Sequence, residues 1–241
     1  MSLAARTFDG LGWACPVLLS LRLVLKRVPT VKNRLDSHLA ADILEVLRRS
    51  LEQFDLPAII QPRYRPVGTP ARLHLFADAS GKAMAVAAYL AGPDGARLLM
   101  AKSRVKPSDW DRGRAAGDTS ATVLAGHASV ELVCGVCSDC TGGRTSFTPQ
   151  MELAAVELAT RMLKFLRTQL DTPPLEPATI WTDSQCTPHW LTSYERKIVF
   201  VENRVRKARQ VPGVCVRYVP THDNPADLGT RGTKASELLQ C

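Results

Sequence analysis

Residues 71–80 read ARLHLFADAS, a short apolar run that behaves as a strand and ends on an acid, Asp78. The pattern returns at residues 178–183, ATIWTD, where a second short strand runs into Asp183. Two more acids sit where helices begin. Glu152 follows Thr148-Pro149, a cap residue and a first-turn proline, and Asp227 follows Asn224-Pro225, the same signature. Like charges repel, so a chain that gathers four carboxylates at element ends needs cations among them. Mg²⁺ prefers oxygen ligands and keeps several waters, so a few carboxylates on rigid, converging elements suffice. Each acid alone also has a purely structural reading: Asp78 closes a strand at a turn, Asp183 caps a helix, and Glu152 and Asp227 face the positive ends of helix dipoles. The four together, in this order, favour a nuclease-type site.

Around these acids the elements can be laid out. Residues 83–91 (AMAVAAYLA) and 96–105 (ARLLMAKSRV) read as strands joined by the Gly92-Pro93-Asp94-Gly95 turn as a hairpin. A helix from Thr148 to about Gln169 carries a broad apolar face of Met151, Ala155, Leu158, Met162, Phe165 and Leu166. After the strand ending at Asp183 come a helix around 184–193, a basic helix around 197–209, a last strand at VCVRYVP (214–220) and a short helix opened by Asn224-Pro225. Strands first in a hairpin set and then alternating with helices predict a mixed α/β fold.

The first 70 residues read as mostly helical. One candidate covers 16–28. A better one covers 38–53, with Leu39, Ile43, Leu47 and Leu51 at four-residue steps and Asp36 or Ser37 as cap. The proline-rich stretch 55–70 (DLPAIIQPRYRPVGTP) is an extended connection, which sets a domain boundary near residue 68. Residues 107–147 show little periodicity and form an insertion. It contains Cys134, Cys137 and Cys140 with His127 upstream, a spacing open to zinc or to part of an iron–sulfur site, and equally to a loop without metal.

The chain has 241 residues and a net charge of +8, a balance that favours anionic partners. Its seven cysteines are odd in number and irregularly spaced, which argues against a secreted disulfide framework and for a reducing compartment. The apolar stretch 11–25 is interrupted by Arg22 and is shorter than the roughly 18 residues a spanning helix needs. The expectation is an intracellular protein, cytoplasmic or nuclear, with no secretion signal and no membrane partner.

Six ordered blocks carry a family likeness: LFADAS (75–80), LLMAKSRVKP (98–107), FTPQMELAAVELATRM (147–162), TIWTDSQCTPHWL (179–191), FVENRVRKARQ (200–210) and VRYVPTHDNPADLGTRG (216–232). They resemble the ribonuclease H-like domain of BEL/Pao-type retrotransposon polyproteins. FDGLGWACPVLLSLRLVLK (8–26) resembles the segment that links reverse transcriptase to that domain. The resemblance implies a five-stranded mixed sheet flanked by helices, with residues 1–68 as a helical connection segment and 69–241 as the ribonuclease H-like domain. It implies hydrolysis of the RNA strand of RNA–DNA hybrids with two Mg²⁺ ions, Mn²⁺ being able to replace them. Carried onto this chain, Asp78, Glu152, Asp183 and Asp227 are the metal-binding acids, and His222 assists proton transfer or product release. Ser80, Ser184 and Gln185 are candidate substrate contacts, since a hybrid is read through backbone shape and 2′-hydroxyls. The basic helix offers Arg196, Lys197, Arg204, Arg206, Lys207 and Arg209 to phosphates, or holds them as a solvated face. The reverse-transcriptase portion of a polyprotein is an implied partner. The same residues also fit a catalytically inactive, host-retained nucleic-acid-binding or interaction module.

Overall fold

The computed structural model describes residues 9–27, 45, 48–49, 71–93, 95–107, 148–170, 174–194, 199–234 and 238. The helix expected over 38–53 lies outside these except for Glu45, Arg48 and Arg49, and so do its caps Asp36 and Ser37. The insertion from 108 to 147 with His127 and its cysteines, and Arg196 and Lys197, also lie outside the described residues.

The elements run in chain order as α1 (Cys15–Arg27), β1 (Arg72–Ala79), β2 (Ala83–Gly92), β3 (Gly95–Val105), α2 (Thr148–Gln169), β4 (Leu175–Thr182), α3 (Cys186–Thr192), α4 (Val199–Arg209), β5 (Val214–Tyr218) and α5 (Asp227–Arg231). A single 3₁₀ turn, Thr221–Asp223, precedes α5. The strands form one sheet in the order β3-β2-β1-β4-β5. β1, β2 and β3 are antiparallel neighbours, whereas β4 pairs parallel with both β1 and β5. This is the five-stranded mixed sheet flanked by helices of a ribonuclease H-like fold.

Period-two alternation decides which side of β1 is buried. Leu73, Leu75 and Ala77 are fully buried and face α2, together with Val86 and Ala88 of β2 and Ile180 of β4. α2 answers with Met151, Ala155, Leu158, Met162 and Leu166, the stripe expected from its spacing. Phe165 departs from that stripe and is 49% exposed. A smaller core joins Leu153 of α2 to Cys186 and Trp190 of α3 and to Val201 and Val205 of α4.

The opposite face of the sheet, at the β2–β3 side, is packed by α1 and α5. The chain entering α1 lies along the edge strand: Ala101 N–H donates to the Leu11 carbonyl at 2.7 Å, and Trp13 Nε1 donates to the Leu99 carbonyl at 3.3 Å. Arg22 and Lys26 continue this pairing onto the carbonyls of Ser103 and Lys106. Gly12 makes the approach possible, since it has φ +74° and a Cβ there would stand 1.7 Å from the Ala101 carbonyl oxygen. On α5, Ser103 Oγ donates to the Gly229 carbonyl at 2.8 Å. Among the described residues no helix is long and apolar enough to cross a membrane.

Candidate metal centre

Parallel pairing of β1 with β4 sets Ala77 opposite Thr182. Asp78 and Asp183 therefore leave neighbouring strands at the same sheet end. α2 packs across β1 with its N-terminal part at that end, which delivers Glu152: its Oε1 accepts from the Ala79 N–H at 3.2 Å. One oxygen each from Asp78, Glu152 and Asp183 lies within 4.8 Å of the others. Asp78 and Glu152 are buried, at 4% and 6% exposure, and Asp183 is half-buried.

Two oxygens at this point, Glu152 Oε2 and Asp183 Oδ1, are buried and have no hydrogen-bond partner. Orphaned buried acceptors are costly and rare, so a cation is the group the donor set fits. Electrostatics agree. Burial, opposed by a hydrogen bond from Thr230 and reinforced by the charges of Asp183 and Asp227, pushes the Asp78 carboxyl up to about 6. Glu152 is raised well above the carboxylate range, first by burial and then by the charges of Asp78 and Asp183. Both shifts come first from burial and then from the neighbouring acids, and a bound cation would oppose both causes.

The stretch after β5 holds the acids in place. Thr221 Oγ1 donates to Asp183 Oδ2 at 2.9 Å. Thr230 Oγ1 donates to Asp78 Oδ2, and the Asp227 carbonyl lies 3.0 Å away as an alternative acceptor. Asn224 Nδ2 donates to the Ala77 carbonyl at 3.1 Å, tying the loop to the end of β1. In the sequence, Asn224 reads only as a helix start, and Thr221 and Thr230 do not stand out. The available signal was Thr230 standing three residues past Asp227, one turn along the same helix.

Not every expected residue joins the cluster. Asp227 faces it, since its charge raises both Asp78 and Glu152. Its Oδ1, however, is paired with Arg231 Nε at 2.7 Å, and it is not among the three acids within mutual reach. His222 is exposed in the 3₁₀ turn, with Nε2 3.4 Å from Asp223 Oδ2. Ser80 closes the β1–β2 turn, accepting from the Lys82 and Ala83 N–H groups with its Oγ near the Thr230 carbonyl. The Ser184 hydroxyl accepts from Thr187 Oγ1 at 3.2 Å, and Gln185 is exposed just ahead of α3. Arg204 turns inward and the half-exposed Lys207 reaches across, both paired with Glu157 of α2, which also binds Arg161. Arg209 donates to the carbonyls of Leu191 and Ser193 at the end of α3.

Residues 1–113 match the family described as the Pao retrotransposon-like RNaseH-like domain, which bears out the resemblance seen in the sequence. The match ends ahead of α2, so Glu152, Asp183 and Asp227 lie beyond it. RNase H1 of the halophilic archaeon Halobacterium salinarum is similar at 13% identity over 65% of this chain and 90% of its own, with a TM-score of 0.37. The N-terminal RNase H domain of rv2228c from Mycobacterium tuberculosis, solved as a fusion with maltose binding protein, is similar at 12% identity over 70% and 96%, with a TM-score of 0.39. The foamy viral protease-reverse transcriptase in complex with an RNA/DNA hybrid is similar at 10% identity over 82% of this chain and 22% of its own, with a TM-score of 0.45. No curated protein matches the chain.

Proposed function

We propose that the chain is a ribonuclease H-type endonuclease that hydrolyses the RNA strand of RNA–DNA hybrids, as a piece or derivative of a retrotransposon Pol polyprotein. The observation that carries this reading is the convergence of Asp78, Glu152 and Asp183 with two buried, unpartnered oxygens. Those three acids would hold divalent cations, Mg²⁺ with Mn²⁺ as a substitute, and Asp227 would complete the set. Bound in a pair, such ions neutralise the phosphodiester and activate the attacking water. The protein's own part is orientation: Thr230 and Thr221 fix the carboxylates of Asp78 and Asp183. His222, exposed in the 3₁₀ turn ahead of Asp227, would assist proton transfer or product release. Ser80, Ser184 and Gln185 flank the acids and would meet the hybrid backbone. In this reading residues 1–68 derive from a polyprotein connection segment and 69–241 from the nuclease domain.

The test is cleavage of a labelled RNA–DNA hybrid with Mg²⁺ and with EDTA. Loss of cleavage in EDTA and in Asp183→Asn, with the melting curve of that variant retained, is the expected result. Cleavage that survives Asp183→Asn would assign it to a contaminant and defeat the proposal. The ion pair of Asp227 with Arg231 favours a second reading, an inactive binding module on the same fold. That reading predicts hybrid binding without turnover at any Mg²⁺ concentration.

A further inference from the structure

Much of the basic helix is already engaged within the protein. On α4, Arg204 and Lys207 are engaged by Glu157 and Arg209 by the end of α3. Arg167 of α2 is likewise held by the carbonyls of Pro212 and Gly213. A different set of cations borders a groove of about 320 Å³ between β3 and α2. Lys102 and Arg104 stand on its strand side and Arg161 on its helix side. Lys102 and Arg104 are two residues apart, so they project from the same face of β3, about 7 Å from one another. Both are exposed, and among the described residues neither has a hydrogen-bond or ion-pair partner. The floor is apolar, made by Met100, Leu158, Met162 and the ring of Phe165.

This combination narrows the ligand. A wholly apolar occupant would strip water from three cations without replacing it. A bare inorganic anion would leave the methionines and the half-exposed phenyl ring unused. A nucleotide unit has both parts, a flat base for the ring and thioethers and phosphates for the rim. A duplex keeps its bases inside the stack, so only an unpaired strand can offer one to the groove. We propose that this groove binds single-stranded nucleic acid, one base lodged against Phe165 and the adjoining phosphates on Lys102 and Arg104, with Arg161, held by Glu157, at the helix side of the rim. Phe165 lies thirteen residues along α2 from Glu152, roughly 20 Å at the helical rise, so the groove is separate from the carboxylates. The inference goes beyond the nuclease reading and does not require it.

Fluorescence anisotropy of a labelled twelve-nucleotide single strand, with the full chain in EDTA, tests it. The double variant Lys102→Glu/Arg104→Glu is expected to bind at least about tenfold more weakly. Its slope of log affinity against log salt should flatten by about 1.4, two lost contacts at ~0.7 each for single strands. Phe165→Ala should weaken binding by roughly 5- to 100-fold, the usual range for one stacked base. Phe165→Leu, which keeps an apolar side chain, should fail to restore it. Wild-type affinity in the charge-reversed variant, or rescue by Phe165→Leu, would overturn the proposal. So would equal competition by polyglutamate, which marks the groove as a site for acidic protein segments. Asp183→Asn should bind the strand normally while losing cleavage, so failure of the nuclease reading and failure of this one give different results.

Discussion

At the scale of single residues, the acids at the end of β1 and β4 store repulsion that cations would relieve. Asp78 is raised from its ordinary 3.8 to about 6, so the folded protein holds this proton more tightly than the unfolded chain does. The contribution therefore favours the fold fully below about pH 4 and is lost as pH rises through about 6. It amounts to roughly 3 kcal/mol, or about 6–12 °C in Tm for a domain of this size. Without divalent ions, Tm should fall between pH 5 and 7.5, and millimolar Mg²⁺ should restore it at 7.5 but not at 5. Asp78→Asn should reduce this dependence, the remainder belonging to the buried Glu152; a flat Tm in the parent protein would contradict it. Thr230→Val keeps the side-chain shape but deletes the hydroxyl on Asp78. Metal affinity measured by calorimetry should drop about tenfold or more, as for other groups that orient a ligand, and Thr230→Ser should recover it.

At the scale of elements, Glu157 bolts α2 to α4. Its carboxylate is lowered despite burial because Lys207 and Arg161 hydrogen-bond to it, and Arg204, itself mostly buried, lies 3.4 Å away while stacking on Phe200. Glu157→Ala leaves Arg204 without its carboxylate. The expected cost is about 2 kcal/mol by chemical denaturation, below the usual figure for a buried pair because Arg161 and Lys207 reach solvent. This bolt is also where sequence reading stopped. The five strands and the long helix were legible because alternation, the Gly92–Gly95 turn and the Thr148-Pro149 start are local signals. The partner of Lys207 is fifty residues away, so nothing local distinguished a lysine paired within the protein from a phosphate-binding one. Similarly, Asn224-Pro225 announced α5, yet the helix starts at Asp227. Asn224 still opens the segment, its oxygen accepting from the Ala226 N–H and its amide on the Ala77 carbonyl, and residues 225–226 form a turn that leads into the helix. Asp78, Glu152 and Asp183 are legible as a set, and the pairing of Asp227 with Arg231 is open to the same kind of reading, since the two stand four residues apart on one short helix.

For the whole molecule, the decisive contact is the one between its beginning and its sheet edge. Residues 11–13 pair with β3, and α1 packs against α5 and β3. An uncovered edge strand is a template for another chain. Gly12→Ala places a Cβ into the Ala101 carbonyl at a φ that alanine avoids, and no neighbouring side chain can yield because the clash is with backbone. The variant should show concentration-dependent self-association by size-exclusion chromatography, while the parent elutes at one volume across the same range. The opposite terminus has its own role. Thr221, Asn224 and Thr230, which fix Asp183, the end of β1 and Asp78, all follow the last strand. On the ribosome, then, the carboxylate cluster lacks these three tethers until residue 230 has cleared the exit tunnel.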